Sequence, residues 1–250
     1  MIILLHGFTG SPRSFDALRG RITGPVSVPE IIGHGAPAPG VESFEDEVDR
    51  LAVSIAAARG GRPLVVVGYS LGARLALGLA ARHPGALDAV VSIGGHPGIS
   101  DVSARAVRSR SDESLSERIE SEGVRDFVDE WEALPLFASQ RALPPSVLAR
   151  QRAIRLAHDA HGLSRSLAVA GLGRMPDLRP MLEETRVRIH MVTGVLDEKF
   201  TTLATELRPT GHTVVVGAGH NVLLERPDAV AAIIGGLPLR CHHQPREVRP

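Results

Sequence analysis

Cysteine is nearly absent from this chain of 250 residues, and neither sign of charge is in excess. Because Cys241 is the single cysteine, no internal disulfide can form, which fits a reducing compartment. The 28 basic side chains balance the 28 acidic ones, whereas a nucleic-acid-binding protein would normally carry a basic excess. A balanced charge also gives no reason to expect an anionic membrane surface as a partner. Composition therefore argues against nucleic-acid and membrane partners.

Long apolar runs are missing as well. The opening run over residues 1–5 is too short for a signal peptide and has no basic segment before it. Longer apolar stretches are interrupted well before the roughly 20 residues that a membrane-spanning helix needs. We therefore expect a cytoplasmic protein. The length suits one domain, or a core domain with an insertion.

Short β-branched runs alternate with longer helical patterns, which predicts an α/β fold with a mostly parallel sheet flanked by helices. The clearest strands are predicted over residues 2–5, 64–67, 89–93, 188–193 and 213–216, with a weaker one over 26–28. Helices are predicted over residues 43–59, 71–82 and 227–234.

The middle of the chain has a different pattern. Residues 98–182 contain no convincing strand, are rich in charge and have helical spacing. We interpret this segment as a helical cap inserted into a core that comprises residues 1–97 and 183–238. Residues 239–250 are predicted to form a disordered tail.

The pattern Gly68-Tyr69-Ser70-Leu71-Gly72 lies between a predicted buried strand and an alanine-rich helix. A strained turn in this setting needs small residues two positions before and after the serine, and it exposes the hydroxyl at the helix N-terminus. We predict Ser70 as the nucleophile-position residue.

A serine hydroxyl needs a base, and the base needs an orienting acid. His220 follows the last predicted strand, and Asp197 follows the one before it, with Glu198 as the close competitor. The order Ser, Asp, His is the one that hydrolase folds of this kind use. The backbone N–H groups of Leu71 and of Phe8, which follows the first strand, are the candidates for an oxyanion hole.

Two other patterns carry less weight. His158, Asp159 and His161 have helical spacing that could hold a metal, but a solvated helix face is the better interpretation. Gly171-Leu172-Gly173 lacks a preceding strand, so it is not a dinucleotide fingerprint, and no phosphate-binding loop is present. We predict no cofactor and no metal.

Several further motifs resemble a known family. They are Leu5-His6-Gly7-Phe8-Thr9-Gly10, Gly94-Gly95-His96-Pro97-Gly98, the run from Arg105 to Asp112, Trp131 followed by Pro135-Leu136-Phe137-Ala138-Ser139, Asp197-Glu198-Lys199-Phe200, Gly219-His220-Asn221 and Glu225-Arg226-Pro227. Over nearly the whole chain the sequence resembles the 2-succinyl-6-hydroxy-2,4-cyclohexadiene-1-carboxylate synthases of menaquinone biosynthesis, which have the α/β-hydrolase fold.

The resemblance implies an elimination. A proton leaves the ring of an enolpyruvyl cyclohexene polycarboxylate, pyruvate departs and a conjugated diene remains. Ser70, polarised by His220 and Asp197, would take the proton, and the oxyanion hole would hold the enolate on the succinyl carbonyl.

The resemblance also implies binding residues for this small polycarboxylate. Arg74, Arg108 and Arg152 would bind the carboxylates, because a guanidinium matches a carboxylate with two parallel hydrogen bonds. Tyr69 and Trp131 would line the pocket. Neighbouring arginines compete for two of these roles: Arg105 and Arg110 with Arg108, and Arg150 and Arg155 with Arg152.

The sequence departs from the family pattern at a few positions. Glu132 follows Trp131 where a tyrosine is usual, Met175 precedes Pro176 where a glutamine is common, and the Gly33-His34-Gly35 turn lacks a preceding Asp and Pro. The family's N-terminal hairpin is expected to be missing. A carboxylesterase or carbon–carbon bond hydrolase with a covalent Ser70, and a non-catalytic binding protein, remain the alternative functions, and the oligomeric state stays open.

Overall fold

A six-stranded sheet is the centre of the structure, a computed structural model that describes residues 1–35 and 38–237. Its strands are β1 (Ile2–Leu5), β2 (Val26–Ser27), β3 (Val65–Tyr69), β4 (Ala89–Ile93), β5 (Arg188–Gly194) and β6 (Gly211–Val215). Every neighbouring pair is parallel, and the order across the sheet is β2-β1-β3-β4-β5-β6. The predicted parallel α/β sheet is confirmed.

The strand bounds differ from the prediction by up to two residues, both in the central strand β3, which was predicted over residues 64–67, and in the edge strand β6. β6 begins at Gly211, which pairs with His190 of β5, two residues before the predicted start. Val216 was predicted inside this strand but lies beyond it and is 74% exposed. An edge strand has only one neighbour, so an apolar pattern marks its ends poorly.

Helices occupy the connections between the strands. They are α1 (Asp16–Arg19), α2 (Phe44–Arg59), α3 (Leu71–Arg82), α4 (Val102–Glu122), α5 (Val124–Ala133), α6 (Pro145–Leu156), α7 (Ala160–Ala170), α8 (Arg179–Glu184), α9 (Glu198–Glu206), α10 (Val222–Glu225) and α11 (Pro227–Gly235), with 3₁₀ turns at Pro12–Phe15 and Pro135–Ala142. The predicted α2, α3 and α11 are confirmed to within a residue or two.

Helix α2 shows how the sequence sets such boundaries. The Ser43 side chain accepts a hydrogen bond from the backbone N–H of Asp46, and the Asp46 side chain accepts one from the backbone N–H of Ser43. This reciprocal capping box satisfies two N–H groups that the first turn leaves free. The helix ends at Gly60, whose φ of 54° is in the left-handed region that favours glycine.

Alternate residues of the strands pack into two core layers, one on each face of the sheet. Ile3 and Leu5 of β1 point to the face covered by α2, α3 and α8, whereas Ile2 and Leu4 point to the face that packs with α1 and α11. A strand buried on both faces needs apolar residues at consecutive positions. This explains the continuous apolar runs by which the strands were predicted.

Helices α4 to α8 all lie between β4 and β5 in the chain, and we call them the inserted helices. Part of this segment has its own small core, made of Ile119, Phe127, Val128, Leu163 and Leu167. Met175, Leu178 and Leu182 instead belong to the main core. The last part of the predicted cap segment thus packs into the core beside the sheet.

Some predictions fall on parts of the chain that the structure does not describe. The end of the core at residue 238 and the tail over 239–250 lie outside the described residues. Within residues 1–35 and 38–237, none of the helices combines the length with the apolar character that a bilayer crossing requires.

We expect Phe44→Ala to lower the free energy of unfolding by about 3–5 kcal/mol, because the side chain is fully buried in the main core and its loss leaves a cavity. Val53→Ala in the same helix is the control. Val53 is 73% exposed, so its truncation should change the unfolding free energy by no more than about 0.5 kcal/mol. Urea denaturation compares the two, and equal effects would contradict the burial described for Phe44.

Candidate active site

Ser70 occupies the sharp turn between β3 and α3 and has a φ of 50°, a left-handed conformation that is unusual for a residue with a side chain. The turn leaves no room beside it. A Cβ on Gly68 would lie 2.2 Å from the carbonyl oxygen of Gly72, and one on Gly72 would lie 2.1 Å from the carbonyl oxygen of Leu5. The two glycines therefore allow the strained turn to pack against the end of β1.

His220 connects Ser70 to a buried carboxylate. Its Nε2 lies 3.3 Å from Ser70 Oγ, and its Nδ1 lies 2.7 Å from Asp197 Oδ2. Because a carboxylate accepts, Nδ1 carries the proton and donates, which leaves Nε2 free to accept from the Ser70 hydroxyl. His220 and Asp197 are only 2% and 7% exposed, so little solvent weakens their pairing.

The loop that carries His220 is fixed by close contacts with two strand ends. A Cβ on Gly194, the last residue of β5, would lie 2.2 Å from the carbonyl oxygen of Ala218. A Cβ on Gly94, which follows β4, would lie 2.8 Å from the His220 ring. Glu198, the competitor of Asp197, is exposed. Of the two acids, Asp197 is the one that bonds to the imidazole.

The two predicted oxyanion donors lie beside the serine. Leu71 is the first residue of α3, and Phe8 follows β1; both line the cavity at Ser70. Neither backbone N–H has a hydrogen-bond acceptor within the described residues. Their role as an oxyanion hole stays a prediction. Leu71 is suited to it because the N–H groups at a helix start have no acceptor within the helix.

A cavity of about 400 Å³ opens above Ser70 and His220. Arg74 lines it from the first turn of α3, where Nη1 donates to the carbonyl oxygen of Ala170 at 2.7 Å. Burial, and then the nearby charge of Arg108, lower the pKa of Arg74 to about 10. The guanidinium therefore stays charged at neutral pH, and its other N–H groups have no acceptor among the described residues.

Arg108 reaches the same cavity from α4. Its Nε donates to Asp112 Oδ1 at 2.7 Å, one helical turn away, and Asp112 Oδ2 accepts from the backbone N–H of Gly173 at 3.0 Å. The buried carboxylate thus orients the guanidinium. The competitors Arg105 and Arg110 do not line this cavity.

Arg152 is placed differently from the prediction, because it does not line the cavity at Ser70. Its guanidinium pairs with Glu132 Oε2 at 2.7 Å and with Asp129. Arg155, one of its competitors, is 5% exposed, lines the cavity and donates to Glu132 Oε1 at 2.8 Å. Arg155 therefore supplies the buried guanidinium on this side of the cavity, whereas Arg152 pairs with two carboxylates and does not line it. The competitor Arg150 also lines the cavity, but it is exposed to solvent.

Aromatic rings complete the lining. Tyr69 lies with its ring centre 5.6 Å from that of His220, and burial raises its pKa. The Trp131 ring contacts those of Phe8 and Phe137 at 5.5 and 5.7 Å. The Phe200 ring contacts that of His220 in a tilted arrangement, with the ring centres 4.4 Å apart. The two predicted aromatic residues, Tyr69 and Trp131, border the cavity together with Phe137 and Phe200, to which the sequence analysis gave no binding role.

His96 is a cavity residue to which sequence reasoning gave no role. Its Nδ1 accepts from the backbone N–H of Gly98 at 3.1 Å. Burial, and then Arg74 and further cations, lower its pKa to about 4, so the ring is neutral at pH 7. His96 closely follows β4, and the placement after a strand end that identified Asp197 and His220 could have found it too.

The prediction that His158 and His161 share a solvated helix face is wrong for His158. His161 is exposed, but His158 precedes α7 and packs its ring 5.0 Å from that of His34. In the described part of the chain, no three His, Cys, Asp or Glu side chains are grouped so that they could hold a metal ion.

Comparisons with known proteins identify the family of this chain. The model of the alpha/beta hydrolase family matches residues 2–233. The 2-succinyl-6-hydroxy-2,4-cyclohexadiene-1-carboxylate synthase of Enterobacter sp. (strain 638) is 33% identical over 234 residues, which are 93% of this chain and 89% of that protein. A putative synthase of the same name from Bacillus subtilis (strain 168) is 32% identical, with 93% and 88% covered.

Solved structures show the same relationship. The structure of MenH from S. aureus superposes with a TM-score of 0.88 at 27% identity, over 94% of this chain and 91% of that one. A thermophilic esterase from Thermogutta terrifontis has a TM-score of 0.78 at 23% identity, with 94% and 87% covered, which shows the shared fold alone. The resemblance predicted from the motifs is confirmed: this chain belongs to the α/β-hydrolase family and, within it, to the 2-succinyl-6-hydroxy-2,4-cyclohexadiene-1-carboxylate synthases.

Proposed function

We propose that this enzyme eliminates pyruvate from 2-succinyl-5-enolpyruvyl-6-hydroxy-3-cyclohexene-1-carboxylate to give 2-succinyl-6-hydroxy-2,4-cyclohexadiene-1-carboxylate. One observation carries the proposal. The hydrogen-bonded series Ser70, His220 and Asp197 opens onto a cavity that presents the guanidinium groups of Arg74, Arg108 and Arg155. A base beside fixed cations suits the removal of a proton from a polycarboxylate.

The first step breaks a ring C–H bond. The Ser70 oxygen takes the proton as its own proton passes to His220 Nε2, and Asp197 stabilises the imidazolium that forms. The electrons of the C–H bond delocalise into the succinyl carbonyl, whose oxygen becomes an enolate. The backbone N–H groups of Phe8 and Leu71 are proposed to hold this oxyanion.

The second step breaks the bond between the ring and the enolpyruvyl oxygen. The enolate electrons re-form the carbonyl and create the second ring double bond, and the leaving group departs as the enolate of pyruvate. A proton returned from the imidazolium restores His220 and gives pyruvate. Both steps use a base, cations and an anion site, so the prediction of no cofactor stays unchanged.

The partners and position of each arginine indicate which of them can bind a substrate carboxylate. Arg74 is held through a backbone carbonyl and Arg108 through Asp112, which leaves further N–H groups of both for substrate carboxylates. We assign the third contact to Arg155 instead of Arg152, since Arg155 lines the cavity. Tyr69 and Trp131 are proposed to contact the apolar parts of the substrate.

The remaining predictions fit this assignment but stay predictions. We propose that the inserted helices act as the cap over residues 1–97 and 183–238, because they carry Arg108, Trp131 and Arg155 to the cavity. A cytoplasmic location and the absence of nucleic-acid and membrane partners stay predictions, and the oligomeric state stays open.

The wild-type enzyme should release pyruvate from the enolpyruvyl cyclohexene acid, followed with a coupled dehydrogenase. Ser70→Ala should lower kcat by about 10³ or more, since it removes the group that takes the proton. A burst of product from p-nitrophenyl esters, an acylated Ser70 and no pyruvate would show the alternative hydrolase function instead. A Ser70→Ala variant with the full biological effect would show a binding protein.

Arg74→Ala should lower kcat/KM about 100-fold, equivalent to about 2–3 kcal/mol, because a charge-assisted hydrogen bond to the substrate is lost. Arg74→Lys should recover only part of this loss, since an ammonium group cannot make two parallel contacts. Steady-state kinetics of both variants test this, and wild-type values in either one exclude carboxylate binding by Arg74.

Arg155→Leu and Arg152→Leu form a matched pair, because both remove a guanidinium that pairs with Glu132. We expect the Arg155 variant to raise KM about tenfold or more and the Arg152 variant to stay within about threefold of wild type, since only Arg155 lines the cavity. The reverse order would return the carboxylate-binding role to Arg152.

A further inference from the structure

We propose that His34 is a positioning residue for the oxyanion hole. It accepts a hydrogen bond from the backbone N–H of Thr9 and thereby fixes the turn that presents the Phe8 N–H to the cavity. The inference rests on the proposed function in one respect, the role given there to Phe8. Neither the fold family's triad nor the cation set uses His34, which lies in the turn between β2 and α2.

The turn after β1 needs an external support because its backbone is strained. Thr9 has a φ of 64°, and a β-branched residue rarely adopts this left-handed conformation. The backbone N–H of Gly10 donates to the carbonyl oxygen of Gly7 at 2.9 Å and closes the turn. Phe8 lies inside this closed turn, so the direction of its N–H depends on whatever keeps Thr9 in place.

His34 supplies this support with its Nε2 atom, which accepts from the backbone N–H of Thr9 at 3.0 Å. On the other side of the ring, Nδ1 lies 3.0 Å from the carbonyl oxygen of Ile32. A carbonyl oxygen only accepts, so Nδ1 carries the proton and Nε2 has the lone pair that Thr9 requires. The two contacts select one neutral tautomer of His34.

The surroundings of the ring maintain this state. Three rings contact the His34 ring edge-on or nearly so: His6 at 5.0 Å, His158 at 5.0 Å and Phe8 at 5.7 Å. Burial, and then the proximity of His6 and His158, hold the pKa of His34 well below its usual range. Burial lowers the pKa of His158, and the charge of Asp159 only partly opposes this. Within the described residues, no carboxylate forms a hydrogen bond with the rings of His6, His34 or His158. His34 therefore remains an acceptor at neutral pH.

The position of His34 is itself fixed by the inserted helices. Gly33 has a φ of 74°, and a Cβ there would lie 2.1 Å from the carbonyl oxygen of Gly162 in α7. This close approach places the next residue, His34, between α7 and the turn after β1. The contacts thus run from the inserted helices through one imidazole to the proposed oxyanion donor.

The test compares His34→Asn with His34→Gln. An asparagine can still donate to the Ile32 carbonyl but is too short to reach the Thr9 N–H, whereas the glutamine amide oxygen can take the place of Nε2. Three quantities are measured: the rate at which an uncharged fluorophosphonate modifies Ser70, kcat and KM for pyruvate release, and the urea midpoint. The phosphonate is informative because its oxygen enters the oxyanion hole.

We expect His34→Asn to slow the modification of Ser70 and to lower kcat, each about tenfold or more, with KM within twofold of wild type, because a displaced donor acts mainly in the transition state. His34→Gln should recover most of both rates. His212→Gln on the outer strand β6 is the control and should match wild type. If His34→Asn does not fold, His34→Phe keeps the ring volume without the acceptor and provides the same comparison with His34→Gln.

Two outcomes would overturn the inference. One is an unchanged rate of Ser70 modification in the variant that lacks the acceptor. The other is an equal loss in both variants that follows their urea midpoints, which indicates a role in stability alone. If wild type fails to release pyruvate while Ser70 modification still depends on His34 as described, the proposed function is wrong and the positioning role of His34 stands.

Discussion

The close approach of the Ser70 turn to the end of β1 is the constraint on which the rest of the site depends. Only the absence of a side chain at Gly72 lets α3 begin against the Leu5 carbonyl. This contact sets the serine hydroxyl, the start of α3 and the turn at Phe8 side by side. Because the strands are parallel, the loops after β4, β5 and β6 reach the same edge. The strained turn and the sheet direction together determine where every other group has to lie.

Hydrogen-bond partners decide which arginines can serve a ligand. Arg74 and Arg108 each keep one structural acceptor, a carbonyl or Asp112, and direct the rest of the guanidinium into the cavity. Arg152 is instead shared between two carboxylates at the outer side of the insertion. Glu132, which follows Trp131, contributes to this difference because it accepts a hydrogen bond from Arg152. A guanidinium with all its charge matched locally has little left to offer a substrate carboxylate.

The histidines show how one side chain takes different roles from its surroundings. His220 has a buried carboxylate on Nδ1 and a hydroxyl on Nε2, an arrangement that supports proton transfer. His34 has only backbone partners and other rings around it, and burial keeps it neutral. His96 likewise stays neutral, with cations nearby. His220 and His96 reach the site because each follows a strand, and His34 reaches it through packing, but the partner at each ring nitrogen determines what the residue does.

Local features of the chain were enough to predict the sheet, the serine turn and the acid–base order. These features are apolar runs buried on both faces, glycines at fixed offsets from Ser70, and polar residues just after strands. The sequence also identified the family. The choice between Arg152 and Arg155 required the folded chain, and so did the placement of His34 and His158 at the turn after β1. Neighbouring arginines on a helix, and histidines in distant loops, have the same local pattern whatever they contact. Their roles follow from packing between the insertion and the core, which couples residues more than a hundred positions apart.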